Sequence, residues 1–153
     1  MSAKPILVPL DGSALAEMAL PEVARLARAL EAEMILLLVI PPAADVIQSG
    51  TMRIAVDEIW SSQREEALKY LNGLRGRQEL ADVPIQVLAE LGSPAETILD
   101  VARTRDVERI VMTTHGRTGI TRWVLGSVAE KVVRAADRIV ELVRAPLAAA
   151  AAA

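Results

Sequence analysis

The residues best placed to do chemistry lie in one stretch, His115-Gly116-Arg117-Thr118-Gly119, followed at a short distance by Gly126-Ser127. Glycines let backbone N–H groups come close to an anion. A helix opening at Gly126-Ser127 adds unpaired N–H donors and the positive end of its dipole, and Ser127 adds a hydroxyl. Together these would bind phosphate. The same residues also fit a plainer role, in which the glycines make turns and Ser127 caps a helix. Arg117 and Arg122 either reach the phosphates or stand in solvent. Asp11, in Asp11-Gly12-Ser13, either meets a ligand's polar groups or caps the next helix. His115, the only histidine, has no orienting partner in the sequence and reads as a structural residue at a strand end.

Several chemistries are absent. There is no G-x-x-x-x-G-K-[ST], no G-x-G-x-x-G after the first strand and no G-x-S-x-G. No cysteine is present, so thiolate ligands and cysteine nucleophiles are out, and one histidine cannot build a multi-histidine metal site. A net charge of −3, with two Trp, one Tyr and no Phe, argues against nucleic acid as a partner. No apolar run approaches the roughly 18 residues of a membrane span, and the first residues turn polar too soon for a signal peptide, so a cytoplasmic protein is expected.

Elements that could hold such a site follow in order. Ile6–Leu10 is a short apolar run, as in a strand covered on both faces. Ser13 caps a helix that reaches about Ala32, with a kink expected at Pro21. Met34–Ile40 is the second strand, and residues 43–55 are a loop long enough to serve as a lid. Val56, Ile59, Trp60, Ala67, Leu68, Leu71 and Leu74 mark one face of a helix. Ile85–Leu91 is the third strand. Ser93-Pro94-Ala95-Glu96 and Ser127-Val128-Ala129-Glu130 both read as capping boxes. Between them comes the strand Ile110–Thr114, and Ile139–Val143 is the last strand. This alternation predicts an α/β single domain, residues 1–147, with a five-stranded parallel sheet and helices on both faces. Residues 148–153 are a poly-alanine tail. Ligands of such sheets bind beyond the carboxyl ends of the strands, where the strand order switches.

ILVPLDGS near the start, GSPAETIL in the middle and THGRTGITRWVLGSVAEKVVRAA near the end resemble the universal stress protein family, from about Lys4 to Arg144. The resemblance implies a Rossmann-like, adenine nucleotide alpha hydrolase-like fold and a regulatory or stress-response role. The family's nucleotide-binding branch carries a glycine, two residues, a glycine, nine residues, then glycine and Ser/Thr. Gly116, Arg117 to Leu125, Gly126 and Ser127 match its later part, whereas the first glycine position holds Thr113. By resemblance, Asp11 would meet the adenine or its neighbouring polar groups, Val39 would contact adenine through its backbone, and Pro9 would wall the base. Gly116, Gly126 and Ser127 would hold ribose and phosphates, with Arg117, Gly119 and Thr113 beside them. The ligand implied is ATP, or ADP or AMP, with Mg²⁺ or Mn²⁺ carried by the phosphates. The resemblance also implies a homodimer through Ile139–Val143, where Glu141 departs from the family's usual apolar residue. A nucleotide-free dimeric scaffold and a weak ATP hydrolase are the alternatives. Any hydrolysis should fall far below the enzyme median of about 10 per second.

Overall fold

The apolar runs become five strands: β1 (Ile6–Leu10), β2 (Met34–Ile40), β3 (Ile85–Leu91), β4 (Arg109–Thr114) and β5 (Ile139–Arg144). The computed structural model describes residues 2–42, 53–114 and 125–145. All four strand pairings are parallel and the order is β3-β2-β1-β4-β5. The chain moves outward through β2 and β3, then returns past β1 to β4, so the order switches between β1 and β4.

Helices cover both faces, as strands apolar on both sides require. On one face, α1 (Ala14–Glu17), α2 (Leu20–Leu30) and α3 (Arg53–Arg75) pack on Ile6, Val8, Met34, Leu36 and Val111. On the other, α4 (Pro94–Thr104) and α5 (Ser127–Ala135) pack on Leu7, Ile35, Leu37, Ile110 and Met112. Successive residues of each strand thus feed opposite cores.

Where a single helix with a kink at Pro21 is expected, there are two helices, broken at Met18-Ala19. Pro21 sits in the first turn of α2, where a missing N–H costs nothing. The proline therefore starts a helix instead of bending one, and α2 ends at Leu30 with Glu31 left-handed. In α3, Ala67, Leu71 and Leu74 are buried, but Ile59, assigned by pattern to the same face, is 45% exposed.

Candidate functional site

The crevice at the strand switch has a simple geometric origin. β1 pairs with β2 as far as Leu10↔Leu38, but with β4 only at Ile6↔Arg109 and Leu7↔Ile110. Beyond Leu7 the ladder between β1 and β4 ends, and a cavity of about 420 Å³ opens there. That volume falls within the roughly 300–1,000 Å³ usual for small-molecule sites. Pro9 and Asp11 from β1 and its turn, Val39 from β2, Thr113 from β4, and Gly126 and Ser127 from α5 all line it. These are the described members of the set expected from sequence. Gly116, Arg117 and Gly119 lie outside the described residues, as do His115, Arg122, the stretch 43–52 and the poly-alanine tail.

The turn after β1 is built by its own side chains. Gly12 takes φ +85, a left-handed conformation that glycine adopts without strain. Asp11 Oδ1 accepts from the Ser13 N–H at 2.9 Å and the Ser13 hydroxyl at 2.5 Å. The Ser13 Oγ in turn accepts from the Ala16 N–H at 3.2 Å, capping α1. Asp11 thus shapes the turn through one oxygen, and no donor among the described residues contacts its Oδ2. The structural and the ligand-binding roles proposed for Asp11 are compatible. Val39 lies one residue past the last pair between β1 and β2, so no β1 residue pairs with it there.

At α5 the sequence-based capping box is corrected. The cap residue is Gly126, in extended conformation, and Ser127 is the first helical residue, with no side-chain cap bond. Glycine has no side chain to satisfy the first-turn donors. The Ser127, Val128 and Ala129 N–H groups therefore have no intrahelical acceptor, and those same residues line the cavity. Ser127 is exposed and its hydroxyl is not used in capping. The other capping box is corrected too: Ser93 is the cap position of α4, but its side chain makes no cap bond.

Thr113, in place of a motif glycine, makes a specific bond. Its hydroxyl donates to the Ala16 carbonyl of α1 at 3.2 Å, across 97 positions of sequence. β4 backbone geometry suits a β-branched residue, and nothing in the strand requires glycine there.

Pattern reasoning missed Ala16, Pro94, Ile98 and Met112 as cavity residues. Pro94 and Ile98 lie one turn apart at the start of the helix after β3. That placement, at the carboxyl end of a strand, is the signal that could have found them. The cavity wall is mostly apolar, with polar groups concentrated at Asp11, Thr113 and the start of α5. Asp11 is the only carboxylate on the wall among the described residues, and no group of three His, Cys, Asp or Glu suited to a metal occurs among them. No helix among the described residues is long and apolar enough to cross a membrane.

Comparison with known proteins gives a consistent result. The model of the universal stress protein family matches residues 2–144. Universal stress protein MJ0531 of Methanocaldococcus jannaschii is 31% identical over 145 residues, covering 94% of this chain and 83% of that protein. The solved structure of MJ0577, a hypothetical protein whose biochemical function was assigned from structure, superposes with a TM-score of 0.78. It is 28% identical and covers 95% of this chain and 99% of its own. A universal stress protein from Archaeoglobus fulgidus, solved in complex with dAMP, shares the fold at a TM-score of 0.61. It is 21% identical, covering 93% of this chain and 98% of that one.

Proposed function

The chain belongs to the universal stress protein family, and on that premise we propose that it is an ATP-binding regulatory protein that holds the nucleotide in the cavity between β1 and β4. The observation that carries the proposal is the start of α5. A glycine cap leaves N–H donors at one end of a cavity whose other walls are largely apolar. This polarity suits a ligand with an anionic end and a flat, weakly polar end. Phosphates would lie against Gly126, Ser127 and Val128, and Gly116, Arg117 and Gly119, which lie outside the described residues, would be further contacts. The base would lie against Pro9, Val39 and Pro94, with Asp11 and the Val39 backbone reading its edge. The dAMP complex of the Archaeoglobus relative lends the class of ligand. Mg²⁺ or Mn²⁺ would arrive on the phosphate oxygens, since no metal cluster lines the wall among the described residues.

Turnover should be slow or absent. Asp11 already uses Oδ1 on Ser13, and no second carboxylate or histidine stands beside it on the described wall. Nucleotide occupancy, not product, would then be the signal. We take the domain to end at residue 147 and to work in the cytoplasm as a homodimer through β5. Glu141 does not oppose that pairing, because it is ion-paired with Arg109 within the chain at 3.0 Å.

Titration calorimetry with ATP, with and without Mg²⁺, tests the proposal, backed by mass spectrometry of small molecules released on denaturation. Silence at millimolar ATP in ligand-free protein would leave the scaffold reading in its place. If Thr113→Gly then restored binding, threonine would be the block. With its hydroxyl donated to Ala16, we expect wild type to bind and Thr113→Gly to change affinity by no more than about 1 kcal/mol.

A further inference from the structure

Helix α1 has four residues and buries none of them. A single turn is not stable alone, and with Ala16 only part-buried against the core the hydrophobic effect holds it weakly. Yet α1 is part of the cavity wall through Ala16. Polar bonds fix it from outside. The Thr113 hydroxyl donates to the Ala16 carbonyl. The next residue, Glu17, accepts from the Arg77 guanidinium at 2.7 Å, across 60 positions of sequence. Arg77 lies in the turn between α3 and β3, does not line the cavity, and also approaches Glu79 at 3.6 Å. The Glu17 side chain is only 16% exposed, so this pair is better shielded from solvent than the other ion pairs on the helices. Tyr70 of α3 lies beside Glu17, in a surface hollow that Glu66 and Lys69 also line. Its hydroxyl is buried beside that carboxylate without reaching hydrogen-bond geometry. Burial first, and the charge on Glu17 next, push the phenol up to about 12.

We propose that Arg77 is a positioning residue for the cavity: by holding Glu17 it fixes α1 as a wall, and so sets the affinity for a ligand it never touches. The inference rests on the nucleotide reading above. Without Arg77, α1 keeps its cap, the bond from Thr113 and the part-buried packing of Ala16 on the core. The cost of ordering it then falls on ligand binding.

The test uses adenosine, which is uncharged, alongside ATP, in calorimetry on the full chain. Arg77→Ala should weaken adenosine binding by about three- to fivefold, the scale of one partly shielded ion pair. Arg77→Lys should recover most of it, and Glu17→Gln, which keeps side-chain size, should match the alanine variant. Raising salt should weaken adenosine binding to wild type but not to Arg77→Ala, because the ion pair is what salt screens. Thr113→Val combined with Arg77→Ala should be non-additive, since both loosen the same turn. Adenosine affinity unchanged or tighter in Arg77→Ala, with wild type still binding, overturns this inference alone. No binding of ATP or adenosine by wild type overturns the nucleotide reading and this inference with it.

Discussion

Two helices begin at the cavity with the same dipeptide, and they meet it in opposite ways. Gly92-Ser93 opens α4 and Gly126-Ser127 opens α5. In α4 the serine is the cap position and proline is the first helical residue, so the group turned to the cavity is a ring without an N–H, with Ile98 a turn later. In α5 the register is shifted by one. The glycine is the cap, the serine is helical, and the N–H groups of the first turn border the cavity. The glycines differ as well. Gly92 has φ +157, and a Cβ there would run into the Thr97 hydroxyl, so any side chain is strained at this position. Gly126 has φ −61 and ψ 156, which any residue adopts, so its backbone does not demand glycine. One helix start gives the cavity an apolar end and the other gives it a donor end.

The sharpest way to break this contrast is Gly126→Asp. Aspartate is a good cap in that conformation, so the melting temperature should hold or rise slightly. Its carboxylate would stand where phosphates are expected, and ATP affinity should fall by about a hundredfold or more. Calorimetry and a thermal melt on the same sample check both halves.

Gly92→Ala should do the reverse. Urea unfolding should show a loss of roughly 1–3 kcal/mol from backbone strain and the clash with Thr97. ATP affinity should change by less than about threefold in the protein that remains folded. A larger binding defect than stability defect would mean that the start of α4 is the donor end.

A smaller effect is expected of Ser127→Ala. Because Ser127 is not the cap, unfolding free energy should stay within about 0.5 kcal/mol. Loss of one hydroxyl bond should weaken ATP by roughly 1 kcal/mol, with adenosine unaffected. A stability loss near the cap value would instead place Ser127 at the cap in solution.

Pro94→Ala is the mildest. Stability should fall by about 0.4–1 kcal/mol through the freer unfolded chain. Binding of adenosine and ATP should weaken together, by about twofold, because only an apolar contact is trimmed. A change in ATP alone would show phosphate at this end.

Much of the fold was legible because it rests on local patterns. Runs such as Ile6–Leu10 and Met34–Ile40 are apolar without alternation, which only a strand covered on both faces explains. The alternation of strands and helices then fixed a parallel sheet and the end at which sheets of this kind take ligands. The candidate site was legible in its types of residue: Pro9, Asp11, Val39, Thr113, Gly126 and Ser127 come from four separate elements and border one cavity. Local pattern failed where two local solutions have similar free energy. Ser-x-x-Glu allows a serine cap at Ser127, but the chain places the cap at Gly126. Pro21 allows a kink, but the chain breaks at Met18-Ala19 and uses the proline to begin α2.

The sequence by itself determined the strands, their parallel arrangement and which stretches reach the carboxyl end of the sheet, since hydrophobic period and helix-start chemistry act over a few residues. Only the tertiary structure decided what the polar side chains do there. Thr113 bonds Ala16, Arg77 bonds Glu17 and Arg109 bonds Glu141 across 97, 60 and 32 positions. A bond across that separation depends on where the sheet brings two strands or turns together, and no local pattern carries that distance.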